Sequence, residues 1–125
     1  MNYTISIDHE NKLINYQHKG IINKFDIGSA WVRLLSLKEF TQKKYNLFSD
    51  FREAKFDISE AEVYEICDFL FKIKHIVENK KQALIIEEPL STALSYIFVG
   101  EVVRKVGFMV KVFSTERAAI QFLTD

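Results

Sequence analysis

From residue 12 onward, segments with the pattern of a β-strand alternate with segments that have the apolar spacing of an α-helix. The strand-like segments are residues 12–19, 45–51, 82–88 and 108–113. Between them, apolar residues recur with the period of one helix face. Strands that alternate with helices are expected to lie parallel in one sheet, joined by right-handed crossovers.

Residues 3–8 also alternate, and a turn over residues 9–11 joins them to the next strand-like segment. This first strand is expected to pair antiparallel at one edge of the sheet. The helices are expected from about Asp26 to Thr41 (capped by Asn23 or Asp26), from Ser59 to about Val77, from Pro89 to Gly107, and after Ser114. The sequence therefore predicts an α/β protein with a five-stranded mixed sheet, mostly parallel, and four helices in the order β-β-α-β-α-β-α-β-α.

Two of the predicted parallel strands carry polar residues at alternate positions. Asn15, Gln17 and Lys19 do so in one strand, and Lys111 does so in the last. A parallel sheet covered by helices on both faces would be apolar throughout. Helices are therefore expected mainly on one face, with the other face partly in contact with water or with a partner.

The helix that begins at Ser59 has the clearest start signal in the sequence. Ser59 and Glu62 have the spacing of a capping box, in which each side chain accepts a backbone N–H of the other residue. Cys67 falls on the apolar stripe of this helix, so a buried thiol is expected there. Four lysines fall off the stripe and are predicted to form a solvated face: Lys72, Lys74, Lys80 and Lys81.

Composition and charge exclude several classes of protein. With 125 residues, of which 48% are hydrophobic, the chain suits a single domain over residues 1–125. Seventeen basic residues balance seventeen acidic ones, so neither nucleic acid nor an anionic membrane is an expected partner. The N-terminus lacks the pattern of a secretory signal, and no apolar run reaches the roughly 18 residues of a membrane span. A lone cysteine is typical of a reducing compartment, so a cytoplasmic protein is expected.

Three longer segments resemble the STAS family, which has the fold of the anti-sigma factor antagonists. The segments are YNLFSDFREAKFDISEAEV from residue 45, ALIIEEPLSTALSYIF from residue 83 and VKVFSTERAAIQFL from residue 110. Bacterial STAS-like proteins of uncharacterised function carry similar segments. The resemblance covers nearly the whole chain. It implies an early hairpin, βα units with their helices gathered on one side, and a non-enzymatic regulatory or protein-binding role.

The sequence departs from this family at one functional position. Members that switch by phosphorylation have a serine after the aspartate of a central strand, in a pattern such as Asp-Ser-Ser-Gly. Here Asp50 is followed by Phe51, Arg52 and Glu53, and the next serine along, Ser59, belongs to the capping box. The resemblance therefore does not imply a phosphoserine switch in this chain.

Asp50 at the predicted end of the third strand is the main candidate for a functional side chain. A receiver-type phosphoacceptor would need further acids to hold magnesium and a lysine after the fifth strand. Lys111 lies within that strand, and no acidic pair ends the first parallel strand, so this interpretation is not favoured. If the strands at 45–51 and 82–88 are neighbours, their carboxyl ends form a rim of the kind where open α/β sheets bind ligands.

Several polar residues would share this rim. They are Asp50, Arg52, Glu53, Glu87, Glu88, Ser91 and Thr92. The alternative is structural: Asp50 and Arg52 form an ion pair in a loop, and Ser91 or Thr92 helps to cap a helix.

We expect a regulatory or protein-interaction domain that is not an enzyme and that binds another protein or a second copy of itself. The predicted partner-binding residues are Asp50, Arg52, Glu53, Ser91 and Thr92. No catalytic cluster, metal-ligand cluster or cofactor motif is present in the sequence, so no metal and no cofactor are expected. The alternative is a carrier of a small molecule or lipid, because many aromatic residues could line a cavity: Phe25, Phe40, Phe48, Phe69, Phe71, Phe98 and Phe108.

Overall fold

Five strands form one sheet in which the order of the strands in space is the same as their order in the chain. The computed structural model describes residues 3–125. The strands are Tyr3–Asp8 (β1), Leu13–Ile22 (β2), Asn46–Phe56 (β3), Lys81–Ile85 (β4) and Met109–Phe113 (β5). β1 is antiparallel to β2, and each later neighbouring pair is parallel. This confirms the predicted mixed, mostly parallel sheet.

Within the described residues, six helices follow the predicted order. They are Lys24–Leu35 (α1), Lys38–Thr41 (α2), Glu60–Lys72 (α3), Lys74–Val77 (α4), Pro89–Val106 (α5) and Glu116–Thr124 (α6). Six helices are found instead of four because two of the predicted helices are each divided into a long and a short part. Leu37 is extended and separates α1 from α2, and Ile73 leaves helical geometry between α3 and α4.

The helix ends follow the polar residues that satisfy their free backbone groups. The Asn23 side chain accepts the N–H groups of Phe25 and Asp26, and the Asp26 side chain accepts the Asn23 N–H, so both predicted cap residues take part. Gly107 ends α5 in the left-handed conformation, with φ of 76°, as glycine allows. The cap of α6 was predicted at Ser114 and lies one residue later, at Thr115, whose hydroxyl accepts the N–H of Ala118.

The predicted capping box at the start of α3 is confirmed. The Ser59 hydroxyl accepts the Glu62 N–H at 3.1 Å, and the Glu62 carboxylate accepts the Ser59 N–H at 2.9 Å. Replacing Ser59 by Ala is expected to lower the free energy of unfolding by about 1 kcal/mol, measured by chemical denaturation, because one N–H loses its partner. Ser114→Ala is the matched control and should be neutral, because Thr115 provides that cap. Equal effects of the two substitutions would contradict this role of Ser59.

The two faces of the sheet are covered unequally. The first face packs against α1 to α5. The core between this face and the helices contains Trp31 of α1, which is buried as predicted. The second face packs only against α6, through a smaller cluster of buried residues: Leu13, Phe48, Ala83, Ile85, Ala119 and Leu123. Asn15 and Gln17 are half-buried on this second face, and Lys19 and Lys111 are exposed. Helices therefore lie mainly on one face, which confirms the prediction made from the polar positions.

β3 extends beyond its predicted end at residue 51 and contains a β-bulge. Residues 17–19 of β2 lie opposite residues 50–53 of β3, so β3 has one extra residue here. Side chains alternate along a strand, so the extra residue changes which of them face the core. Beyond the bulge, Ala54 and Phe56 pack in the core of the first face, while Lys55 is exposed.

Candidate functional site

Asp50 and Arg52 form a bidentate ion pair on the second face of the sheet. Arg52 Nε donates to Asp50 Oδ1 at 3.0 Å, and a terminal nitrogen of Arg52 donates to Oδ2 at 2.7 Å. The Arg52 backbone N–H also donates to Oδ1 at 3.1 Å, because the bulge turns it away from the ladder. Hydrogen bonding to Arg52 lowers the pKa of Asp50, and that same bond raises the pKa of Arg52. The carboxylate is thus held ionised and its oxygens are occupied.

The position of this pair differs from both sequence interpretations. Asp50 lies inside β3 and not at its end, and the ion pair is in a strand and not in a loop. A terminal nitrogen of Arg52 also lies 3.6 Å from a carboxylate oxygen of Glu116, in the first turn of α6. Glu53, which follows, forms an exposed pair with Lys19 at 3.5 Å. The pair therefore joins the sheet to α6.

Ser91 and Thr92 lie at the start of α5, away from this ion pair. Ser91 is fully buried, and its hydroxyl accepts the N–H of Phe56 at 2.9 Å. A partner cannot reach Ser91 in this conformation. The Thr92 hydroxyl donates to the Glu88 carbonyl, and the Glu88 side chain provides the cap of α5 by accepting the Ser91 N–H. No hydrogen bond or ion pair between residues 3–125 joins this group to Asp50, so the predicted rim is not one cluster.

A mostly apolar groove between α1 and α3 is a concave surface that sequence reasoning missed. Its volume is about 730 Å³, and its floor includes Trp31. Phe25 and Val32 on α1 are 73% and 72% exposed, and Phe69 on α3 is 37% exposed. Single exposed apolar residues are common on proteins, whereas several around one groove indicate a binding surface. The spacing of Phe25 and Val32 in the sequence was the available signal, because both fall outside the buried stripe of α1.

A small, partly open cavity lies under this groove, between α1, α3, α5 and the first face of the sheet. Its volume is about 70 Å³. Of the aromatic residues predicted to line a cavity, Phe98 does so. Phe40 and Phe108 are buried in the core, and Phe25 is exposed. Pockets for drug-sized ligands start at about 300 Å³, so this cavity suits molecules smaller than a lipid.

Two buried ionisable side chains lie away from the groove. Lys80 was predicted to be solvated but is 4% exposed; its Nζ donates to the Tyr45 carbonyl oxygen at 3.2 Å and lies 4.6 Å from the centre of the Phe40 ring. Burial lowers the pKa of Lys80 to about 8. Cys67 is buried as predicted, and burial raises the pKa of its thiol to about 11. A thiol with this pKa is protonated near neutral pH and is a poor nucleophile.

Within residues 3–125, no group of three or more His, Cys, Asp or Glu side chains is placed to hold a metal ion. None of the helices in that range is long and apolar enough to cross a membrane.

The comparison with known proteins identifies the fold. No family model and no curated protein matches this sequence. Among solved structures, an uncharacterised protein of the DUF3478 family from Shewanella loihica PV-4, with a SpoIIAA-like fold, is similar to this chain. The two share 18% sequence identity and superpose with a TM-score of 0.64, over 98% of this chain and 94% of the other. This chain therefore has the SpoIIAA-like fold, the STAS-like architecture that its sequence segments predict.

Proposed function

We propose that this chain is a non-enzymatic protein-interaction domain whose groove between α1 and α3 binds an amphipathic helix of a partner protein. The observation that carries the proposal is the groove itself, with exposed Phe25, Val32 and Phe69 beside it. The role in regulation comes from the resemblance to the STAS family. A cytoplasmic location is part of the proposal and is supported by the lone, buried Cys67.

The shape of the groove favours a helix as the occupant. Phe25, Gly28 and Val32 line it at helical spacing along α1, opposite Phe69 of α3. Gly28 is exposed, and a Cβ placed on it would meet no atom within 4 Å, so the groove is open at its middle. A groove between two helices accepts the apolar stripe of a third, with anchor side chains about one helical turn apart.

The charges around the groove differ between its two ends. At one end, Lys24 lies 3.1 Å from Glu65 and 3.8 Å from Glu62, so its charge is already balanced. Toward the other end, Asp68 and Lys72 of α3 both line the groove, and Arg33 lies beside the lining in the last turn of α1, so the basic side chains outnumber the acidic one there. A partner helix with an apolar stripe and an acidic residue at that end would match this arrangement.

The polar residues predicted from the sequence support a structural role more than a catalytic one. Asp50 and Arg52 neutralise each other in their ion pair, so the proposal rests on the groove and not on this pair. His18 is buried, and its Nδ1 shares a 2.6 Å hydrogen bond with the Tyr16 hydroxyl. Burial lowers the pKa of His18, so the imidazole is neutral near pH 7.

Site-specific photocrosslinking tests the groove as the binding surface. A photoreactive amino acid is placed at Val32, inside the groove, and in a second variant at Leu90, which is 56% exposed on α5. In cells that express the protein, we expect one discrete crosslinked product from position 32 and none from position 90. Mass spectrometry of the product is expected to locate the crosslink in an amphipathic helical segment.

A charge in the groove provides the matched control. Phe25→Asp should abolish the crosslink at position 32 without unfolding the domain, because Phe25 is largely exposed. A product with twice the mass of this chain would identify a second copy as the partner. Equal labelling at positions 32 and 90, or labelling that Phe25→Asp does not reduce, would contradict the proposal.

A further inference from the structure

The cavity of about 70 Å³ under the groove has a wall that is almost wholly apolar, with three polar side chains besides the indole of Trp31. Two of these are already engaged. The Tyr16 hydroxyl is hydrogen-bonded to His18, and the Ser95 hydroxyl donates to the Ser91 carbonyl at 2.8 Å. The third is Gln82 of β4, and it is the polar group of the wall that remains to be explained.

Gln82 is buried, at 4% exposure, and only one end of its amide is satisfied. Its Nε2 donates to the Ser49 hydroxyl at 2.9 Å. Its Oε1 has no hydrogen-bond partner among residues 3–125, and it is the one buried side-chain polar atom in that range without one. Buried polar groups in proteins are nearly always hydrogen-bonded, because leaving one unsatisfied is unfavourable. The Gln82 oxygen is therefore available to a donor from outside residues 3–125.

We propose that this cavity is a binding site for a small, uncharged, mostly apolar molecule that carries one hydrogen-bond donor. The apolar wall accepts the body of the ligand, and the Gln82 carboxamide oxygen accepts its donor. An apolar cavity of about 150 Å³ is known to admit benzene, so a smaller ring or a short branched chain suits this one. Part of the wall, including Ile27, Ile58 and Phe98, is half-buried and gives the ligand a route in.

Pyrrole and furan form a matched pair of probes for this site. They are five-membered aromatic rings of nearly the same size, and only pyrrole has an N–H that can donate. Trp31 lines the cavity and is the single tryptophan of the chain, so its fluorescence reports binding. We expect pyrrole to bind about tenfold more tightly than furan, which is the typical effect of one hydrogen bond to a buried acceptor.

Substitutions on the two faces of the sheet separate the hydrogen bond from general apolar binding. Gln82→Met keeps the size of the side chain and removes the acceptor, so the affinities for pyrrole and furan should become equal. Gln17→Met on the second face is the control and should keep the tenfold preference. Equal affinity of the two probes for the unsubstituted protein, or binding of neither, would overturn the proposal. If neither probe binds, about two water molecules would occupy the cavity instead.

The probe comparison on the unsubstituted protein decides the proposal even if Gln82→Met does not fold. It is also independent of the groove, because Phe25→Asp should remove partner binding and leave the preference for pyrrole unchanged. Phe25 does not line the cavity.

Discussion

Replacing Lys80 by Met is expected to raise the free energy of unfolding at pH 7, because a charge is held in the core without an acidic partner. Among residues 3–125, no carboxylate lies within ion-pair distance of Lys80. Its contacts are the Tyr45 carbonyl oxygen and the face of the Phe40 ring. Methionine fills a similar volume and carries no charge to desolvate.

The advantage of Lys80→Met is expected to shrink as the pH rises from about 8 to 10.5. Burial lowers the pKa of Lys80 from 10.5 to about 8 in the folded protein. In this window the unfolded chain binds more protons than the folded one, so the stability that Lys80 contributes rises with pH. The difference in the free energy of unfolding between Lys80→Met and the unsubstituted protein should shrink by about 3 kcal/mol across this window. Urea unfolding of both proteins at a series of pH values measures it.

The difference between the two proteins must be compared, because Cys67 acts in the opposite direction. Burial raises the pKa of its thiol from 9.0 to about 11, so the stability that Cys67 contributes is lost as the pH rises through this range. Both proteins contain Cys67, and its effect cancels in the difference. Lys74→Met, at an exposed residue of α4, is the control and should leave the profile unchanged. A constant difference between pH 7 and 10.5 would contradict the burial of a charged Lys80.

Arg52→Met is expected to destabilise the domain by about 2–3 kcal/mol at pH 7, because it leaves the Asp50 carboxylate without its cation. Asp50 is only 8% exposed, so water replaces the lost hydrogen bonds poorly. The Arg52 pair keeps the pKa of Asp50 low, and the stability it provides is lost as the pH falls through that lowered pKa. The effect of Arg52→Met should therefore be smaller at pH 3 than at pH 7.

Two further variants separate this pair from a general effect of surface charge. Lys19→Met breaks the neighbouring pair with Glu53, whose side chains are 60% and 62% exposed, and should change stability by less than about 1 kcal/mol. Asp50→Asn combined with Arg52→Met removes both charges and should recover part of the loss. A double variant as unstable as the sum of the single ones would show that the two side chains act independently.

The architecture was predictable because its signals are local. Alternation over residues 3–8, helical spacing after each later strand, and the Ser59 capping box each depend on neighbours in the chain. The polar positions of the second face followed from the same alternation. The extent of β3 was not predictable, because the bulge breaks the alternation at residues 50–53, where the sequence looks like a strand end.

The sites were harder to predict, since they depend on packing between distant segments. Lys80 is buried because residues 40 and 45 pack over it, which no pattern around residue 80 indicates. Ser91 resembled an exposed helix start, but it is buried against the true end of β3 at Phe56. The groove exists because α1 and α3 stand apart, and that separation is a property of the assembled fold.

The bulge in β3 shifts the alternation of side chains between the two faces by one residue. Strict alternation from Phe51 onward would point Glu53 and Lys55 into the core and Ala54 and Phe56 outward. A variant that lacks Arg52 loses the extra residue of the bulge and keeps Ala54 and Phe56 facing the core. A residue inserted after Glu53 would instead turn Ala54 and Phe56 outward, so a one-residue deletion at the bulge should disturb this part of the core less than a one-residue insertion beyond it.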